Sequence, residues 1–282
     1  MKSLIHLTLK IMLRLRFFVL FLLLPNVALA ALKDCQPVKI DKWVKMDYAI
    51  AGNKMLSKGT VYKLNGLYTP LRQQKTKFSN SGQPLAKESQ KKLNQILADH
   101  GLMVGIEYDK TKVDKLLRVK FHGYVKRGDQ LISITRLMIE SGMGIFYPEV
   151  ENDRHAKCYL QAESKARKDE VGLWAVAKKY PQYHFPIVKS SELTLEDIGF
   201  RIIQGPVRKV WKTNNNYIIN LDTTGIRVQK KSWDRFDYQK IKALQGKTVE
   251  VRGFGFLYNR AMYVVIETPN ALNLLDALHQ QD

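Results

Sequence analysis

The chain has 282 residues and carries 46 Lys and Arg against 26 Asp and Glu, a net charge of +20. An excess of that size disfavours cationic partners and points to polyanions, nucleic acid or an anionic envelope surface, without choosing between them. Two cysteines, Cys35 and Cys158, are too few for a zinc cluster, and His6, His100, His122, His155, His184 and His279 show no ligand-like spacing.

The N-terminal residues place Lys2, Lys10, Arg14 and Arg16 ahead of the apolar run 17–24, followed by Pro25 and the small-residue exit Ala28-Leu29-Ala30-Ala31. This pattern reads as a secretory signal peptide over residues 1–30, with an uncleaved anchor as the alternative. Cleavage leaves 42 Lys and Arg against 26 Asp and Glu, a net charge of +16, and no membrane-spanning segment. The expected location is the periplasm or the extracellular medium. In that oxidising setting Cys35 and Cys158 are expected to form a disulfide, closing a loop long enough to contribute about 4–5 kcal/mol on a chain-entropy argument. A catalytic thiol is the alternative, although no His and carboxylate lie beside either cysteine in the sequence.

Residues 35–50 read as one or two opening strands. Ala51-Gly52-Asn53 and Lys58-Gly59 mark hairpin turns into a strand over Val61–Leu64, whose alternation points Tyr62 and Leu64 at a core. Gly66 bends the chain and Thr69-Pro70 stops it. Residues 71–84 form a polar, basic loop, and a helix follows from Leu85 with Leu93, Ile96 and Leu97 on one face. Strands over 102–108 and 116–125 flank a charged turn, a second helix is expected from about Gln130 to Gly142, and a third from about Asp153 to Asp169. Residues 175–197 read as a linker. Beyond it come strands over 200–211, 217–221 and 226–229, a short helix over 238–244, and strands over 248–256 and 261–268, an order that suits an oligonucleotide-binding (OB) barrel.

Several segments carry a resemblance. Gly66-Leu67-Tyr68-Thr69-Pro70 resembles the Gly-hydrophobic-Asp-Thr-Pro-Glu turn of the staphylococcal-type thermonuclease family. Asp114-Lys115-Leu116-Leu117-Arg118-Val119 resembles its Asp-x-Tyr-Gly-Arg-hydrophobic segment, and Tyr159–Glu163 through Ala166 to Gly172-Leu173-Trp174 resembles its last helix. Gly199, Phe200, Gly205 and Val207, with the run Gly246–Gly253, are similar to a C-terminal module found in exported Gram-negative forms. The resemblance implies an α+β chain: an SNase-like OB barrel with three helices over residues 31–174, the linker, and a second OB-fold-like β-barrel domain over residues 198–282.

The resemblance also implies a chemistry that this chain does not spell out. Thermonuclease-like enzymes use one Ca²⁺, two arginines and a glutamate to hydrolyse phosphodiesters. Here the phosphate-gripping arginine falls on Lys63, the metal-binding Asp on Tyr68 and the base Glu on Leu71; Thr69 and the second arginine, Arg118, are kept. The earlier Asp-Gly-Asp-Thr segment falls in 44–50, where Asp47 is the acid present. Asp47 and Thr69 are thus the weak metal candidates. Lacking carboxylates for a hard ion and a base for water, the domain is expected to be a pseudoenzyme that needs no cofactor. The alternative is an active phosphodiesterase or nuclease, with Ca²⁺ or without it, whose metal or base site is relocated to Asp47, Asp109 or Asp114 near Arg118. A further alternative is an envelope protein-interaction module.

What remains implied is a surface that binds nucleic acid or another polyanion. Lys63, Arg72, Lys75, Lys77 and Arg118 would gather at the former phosphate site. In the second barrel, aromatic residues interleave with Arg and Lys, and Trp211, Trp233 and Tyr258, at expected strand ends or loops, are the candidates to stack bases. Phe146 and Tyr147 lie where such a fold places a further stacking ring, or where it packs its core.

Overall fold

The structure is a computed structural model that describes residues 35–73, 82–259 and 261–275. The expected signal peptide, Lys75 and Lys77 lie outside the described residues. No helix among the described residues is long and apolar enough to cross a membrane.

The N-terminal unit opens with β1 (Lys42–Lys45), β2 (Tyr48–Ala51), β3 (Lys54–Ser57), β4 (Thr60–Leu64) and the short β5 (Leu67–Tyr68). Helix α1 (Ala86–Asp99) is followed by β6 (Met103–Glu107), β7 (Val119–Arg127), β8 (Gln130–Ser133), α2 (Ile134–Glu140), β9 (Ile145–Phe146) and α3 (Ala156–Lys168). One sheet has the order β1-β6-β7-β4-β3-β2, with β8 on β7, and β5 pairs separately with β9. Met55, Leu64 and Phe121 from the strands meet Leu93 and Leu97 of α1, Ile134 and Met138 of α2, and Tyr159 of α3 in one core. The bend at Gly66 has φ +70°, and a Cβ there would meet the Tyr159 ring at 2.6 Å, so this turn requires glycine on both counts. The expected disulfide joins Cys35 to Cys158, with Cα atoms 5.5 Å apart, and ties the chain's first described residue to α3.

The second expected helix begins later than its sequence suggests. Gln130–Ser133 is a strand, paired with β7 through a hairpin whose turn glycine, Gly128, has φ +59°. The helix starts only after Ser133, whose hydroxyl caps Arg136 N–H.

The stretch expected as a linker is structured. Helix α4 (Leu173–Lys179) is followed by β10 (Ile187–Lys189), which pairs in parallel with the first strand of the C-terminal sheet. That sheet contains β11 (Gly199–Pro206), β12 (Lys209–Lys212), β13 (Asn216–Asn220), β14 (Thr224–Gln229), then α5 (Tyr238–Lys242), β15 (Thr248–Tyr258), β16 (Ala261–Val265) and β17 (Leu272–Leu274). Its order is β10-β11-β15-β16-β14-β13-β12, with β17 on β15. The run 200–211, expected as one strand, breaks at Pro206, so β11 pairs with β15 while β12 turns to β13. The whole is a mixed α/β architecture: an N-terminal unit of sheet and helices followed by a further β unit.

The period-two alternation of β15 sorts its residues between two jobs. Val249 and Val251 enter the core of the second unit with Ile203, Ile219 and Val264. The opposite face reads Glu250, Arg252, Phe254, Phe256 and Tyr258, and the N-terminal unit docks on the first three of these.

Candidate polyanion-binding site and its surroundings

Lys63 lies on β4 opposite Lys120 of the parallel neighbour β7 and opposite Lys54 of the antiparallel neighbour β3. Three lysines on adjacent strands repel one another, and the loop after β9 answers with Glu149. Its Oε1 accepts a 2.6 Å hydrogen bond from Lys63 Nζ, and its Oε2 lies 2.5 Å from Lys120 Nζ; all three side chains are largely buried. Arg118 is held by Asp114, Nε to Oδ2 at 2.7 Å, in a turn that Asp114 also shapes by accepting the Leu116 and Arg118 N–H groups. Lys54 feels Asp114 only as a weaker attraction. Burial, and then the nearby charges of Arg118 and Lys63, pull its ammonium below the ordinary lysine pKa. The structure therefore brings Lys63 and Arg118 together and adds Lys54, Lys120 and Glu149, which the sequence reading had not singled out. The Arg72 guanidinium donates to Gln90 on α1.

At the turn after β5, Tyr68 is buried and donates its hydroxyl to Gln83 Oε1 at 2.7 Å, and burial drives its pKa up to about 12. Its ring stacks on Phe200 of β11 with centroids 4.1 Å apart. Thr69 is buried against Gly52, where a Cβ would come within 2.9 Å of its own Cβ. Leu71 is half-exposed. Asp47 sits at the other end of the β2–β3 hairpin from Gly52, its carboxylate accepting the Lys58 N–H at 2.9 Å, so Asp47 and Thr69 do not converge. Asn53 is the residue beside the β5 turn, its side-chain amide donating to Leu67 O at 3.0 Å. Among the described residues no group of three His, Cys, Asp or Glu gathers as a metal site.

Asp109, the remaining acid of the relocated-site alternative, belongs to a separate buried network. His122 Nε2–H donates to Asp109 Oδ2 at 3.3 Å, which leaves Nδ1 to accept from the Tyr159 hydroxyl at 3.1 Å. Glu107 accepts from Tyr124, His155 and Arg154, each at 2.8 Å. Burial pushes both carboxyls up, yet the donors around them prevail and hold Glu107 and Asp109 down at about 2; burial lowers His122. Nothing in the spacing of these residues along the chain announces the network, because β6, β7 and α3 each contribute a part.

A model of the family described as staphylococcal nuclease homologue matches residues 63–176. That stretch is a staphylococcal nuclease-like domain. No curated protein matches the chain. In this staphylococcal nuclease homologue domain the strand that begins the match carries Lys63, and its closing segment ends inside α4.

Outside the domain, the exposed end of β15 presents Phe256 and Tyr258, 45% and 61% exposed. Tyr263 of β16 pairs with Phe256, and the Arg227 guanidinium lies 4.7 Å over the Tyr263 ring. Continuing across the sheet, Asn220 accepts from Arg227, and Trp211 of β12 carries Lys209 at 5.5 Å. Tyr258 and Trp211 thus lie on one sheet face. Trp233 does not: it stacks on the core residue Tyr217, rings 4.4 Å apart, and donates Nε1–H to Val228 O. Phe146 and Tyr147 are taken up in packing, Phe146 against Tyr159 and Tyr147 against Phe200 and Phe254. Phe256, Tyr263 and Arg227 complete the face, and the alternation of Phe254, Phe256 and Tyr258 against Val249 and Val251 is the sequence signal for it.

Proposed function

We propose that this protein binds single-stranded nucleic acid, or a polyanion of similar form, and does not hydrolyse it by the calcium-dependent route of thermonucleases. The observation that carries this reading is the exposed sheet face where Phe256, Tyr258 and Tyr263 stand beside Arg227. Rings that stack bases, next to cations that track the backbone, are what sequence-tolerant single-strand binding uses. Lys54 and Arg118 of the first unit add positive charge for phosphate, while Lys63 and Lys120 beside them are engaged by Glu149. The second β unit is read here as an OB-type barrel, which fits a ligand laid across its strands.

The same geometry argues against bound calcium. Tyr68, at the acid position, is a buried hydroxyl already donating to Gln83, and Asn53, the hairpin side chain that reaches Leu67 O, is neutral. A hard divalent ion needs several carboxylate or carbonyl oxygens in one place. The disulfide fits an oxidising compartment, and the periplasm or the medium is the proposed location.

The test is fluorescence anisotropy of a labelled single-stranded oligonucleotide, in DNA and RNA forms, at several salt concentrations. Binding that weakens steeply with salt, and by about tenfold or more in Phe256→Ala and Tyr258→Ala, is expected. Salt-insensitive or absent binding overturns the reading. Cleavage that requires Ca²⁺, is stopped by EDTA and is lost in Arg118→Ala overturns the non-enzymatic part.

A further inference from the structure

A cleft of about 750 Å³ runs between α3 of the staphylococcal nuclease homologue domain and the α5–β17 side of the second unit. That volume falls within the range of small-molecule sites, roughly 300–1,000 Å³. One part of its wall is apolar, built from Leu160, Phe236, Leu244, Leu272 and Leu274. The other part is polar and is formed by an ion-pair quartet across the two units. Arg252 donates to both oxygens of Glu163 at 3.0 Å, while Arg167 donates to Glu250 at 2.8 Å and to Glu163 at 2.7 Å.

Within this wall the terminal nitrogens of both arginines are engaged, but Arg167 Nε, Arg252 Nε and Asn273 Nδ2 are buried with no hydrogen-bond partner among the described residues. All three are donors and none can accept. Leaving a buried donor unmade is unfavourable, so three beside one cavity favour a ligand that offers oxygen acceptors. Arg235 and Lys240, both exposed, line the same cleft and extend the preference to a negative head.

We infer that this cleft binds an anionic single-chain amphiphile of the fatty-acid type, its carboxylate toward the quartet and the Arg235–Lys240 rim and its alkyl chain along the leucines. The site is separate from the aromatic sheet face, and the inference does not depend on nucleic-acid binding.

The experiment is isothermal titration calorimetry of the purified protein with dodecanoate below its micelle concentration. Saturable binding of one equivalent is expected, with no comparable binding of dodecyltrimethylammonium, which has the same chain and the opposite charge. The double variant Arg235→Glu/Lys240→Glu is expected to bind at least tenfold more weakly. Lys87→Glu/Lys91→Glu, an equal charge change on the exposed face of α1, is expected to bind as the parent does. Thermal melts of both variants check that the fold is kept. Absence of saturation, equal binding of the cationic amphiphile, or equal weakening in the two variants overturns the inference.

Discussion

Tyr68 and Phe200 stack face to face, with centroids 4.1 Å apart and planes 18° from parallel, across the junction of the two units. By its resemblance to the thermonuclease turn, Tyr68 falls at the position of the metal-binding acid, and in this fold its ring makes a contact between the two units. Phe185 and Trp174 complete the same apolar cluster, and Phe254 approaches the Tyr68 ring at 6.0 Å. A carboxylate at this place would be buried among aromatic rings, with a desolvation penalty that the nearby Arg201, already paired with Asp197, offsets only in part. Tyr68→Asp is therefore expected to destabilise the protein without creating calcium-dependent cleavage. Tyr68→Ala is expected to cost about 3–5 kcal/mol in urea unfolding, as deletions of buried aromatic rings do. A Tyr68→Asp protein that melts like the parent and gains calcium-dependent nuclease activity would refute this account of the turn.

The quartet of Glu163, Arg167, Glu250 and Arg252 is the second device that holds the units together. Glu250 is held at about 2: burial raises it, but the charges of Arg167 and Arg252 prevail. Removing one member leaves an uncompensated buried charge, so Arg252→Met is expected to cost about 3–5 kcal/mol. Replacing Glu163 by Gln in the same chain should recover part of that loss, because it removes the excess negative charge left around Arg167. A double-mutant cycle by chemical denaturation measures the coupling. Additive losses would show that the two residues do not act as a pair.

Much of the local architecture was legible in the chain, for identifiable reasons. The Gly52-Asn53 and Lys58-Gly59 turns, the inward Tyr62 and Leu64, and the Cys35–Cys158 pair follow from turn chemistry, period-two alternation and compartment. The partners that decide the candidate site were not legible. Glu149 meets Lys63 and Lys120 only because β4 and β7 run in parallel, and Tyr68 finds Phe200 only because a second unit packs on the first. Gln130–Ser133 was expected as helix because its apolar residues continue the helical pattern that follows; its pairing with β7 overrides that pattern. Trp233 looked like a stacking residue from its neighbouring lysines, whereas Tyr217 claims its face.

Glu149 is a brake on the cationic group of the first unit. It engages two lysines at once, and Lys63 and Lys120 are thereby withheld from phosphate. Glu149→Gln is expected to strengthen binding of single-stranded oligonucleotide and to steepen its salt dependence by about one to two counterions, provided the fold survives. Anisotropy titrations at four salt concentrations measure the slope. An unchanged slope with stronger binding, or weaker binding in a protein that melts normally, would show that these lysines do not reach the ligand.

The buried His122–Asp109 and Glu107 network sets how the protein responds to acid. His122 is held neutral below its ordinary 6.5 by burial, so the unfolded chain takes up this proton more readily than the folded one. Its contribution is complete above 6.5 and declines as the pH falls below that value. Glu107 and Asp109 behave likewise at lower pH: their contributions are complete above 4.5 and 3.8 and disappear as the pH falls through about 2. The urea midpoint is therefore expected to fall in two stages between about pH 7 and about pH 2, the first from the histidine and the second from the carboxylates. His122→Gln should lower stability at neutral pH yet remove most of the upper stage. Glu107→Gln should flatten the lower stage and leave the upper one. If His122→Gln retains the full decline between about pH 7 and about pH 5, the histidine is not the group that drives it.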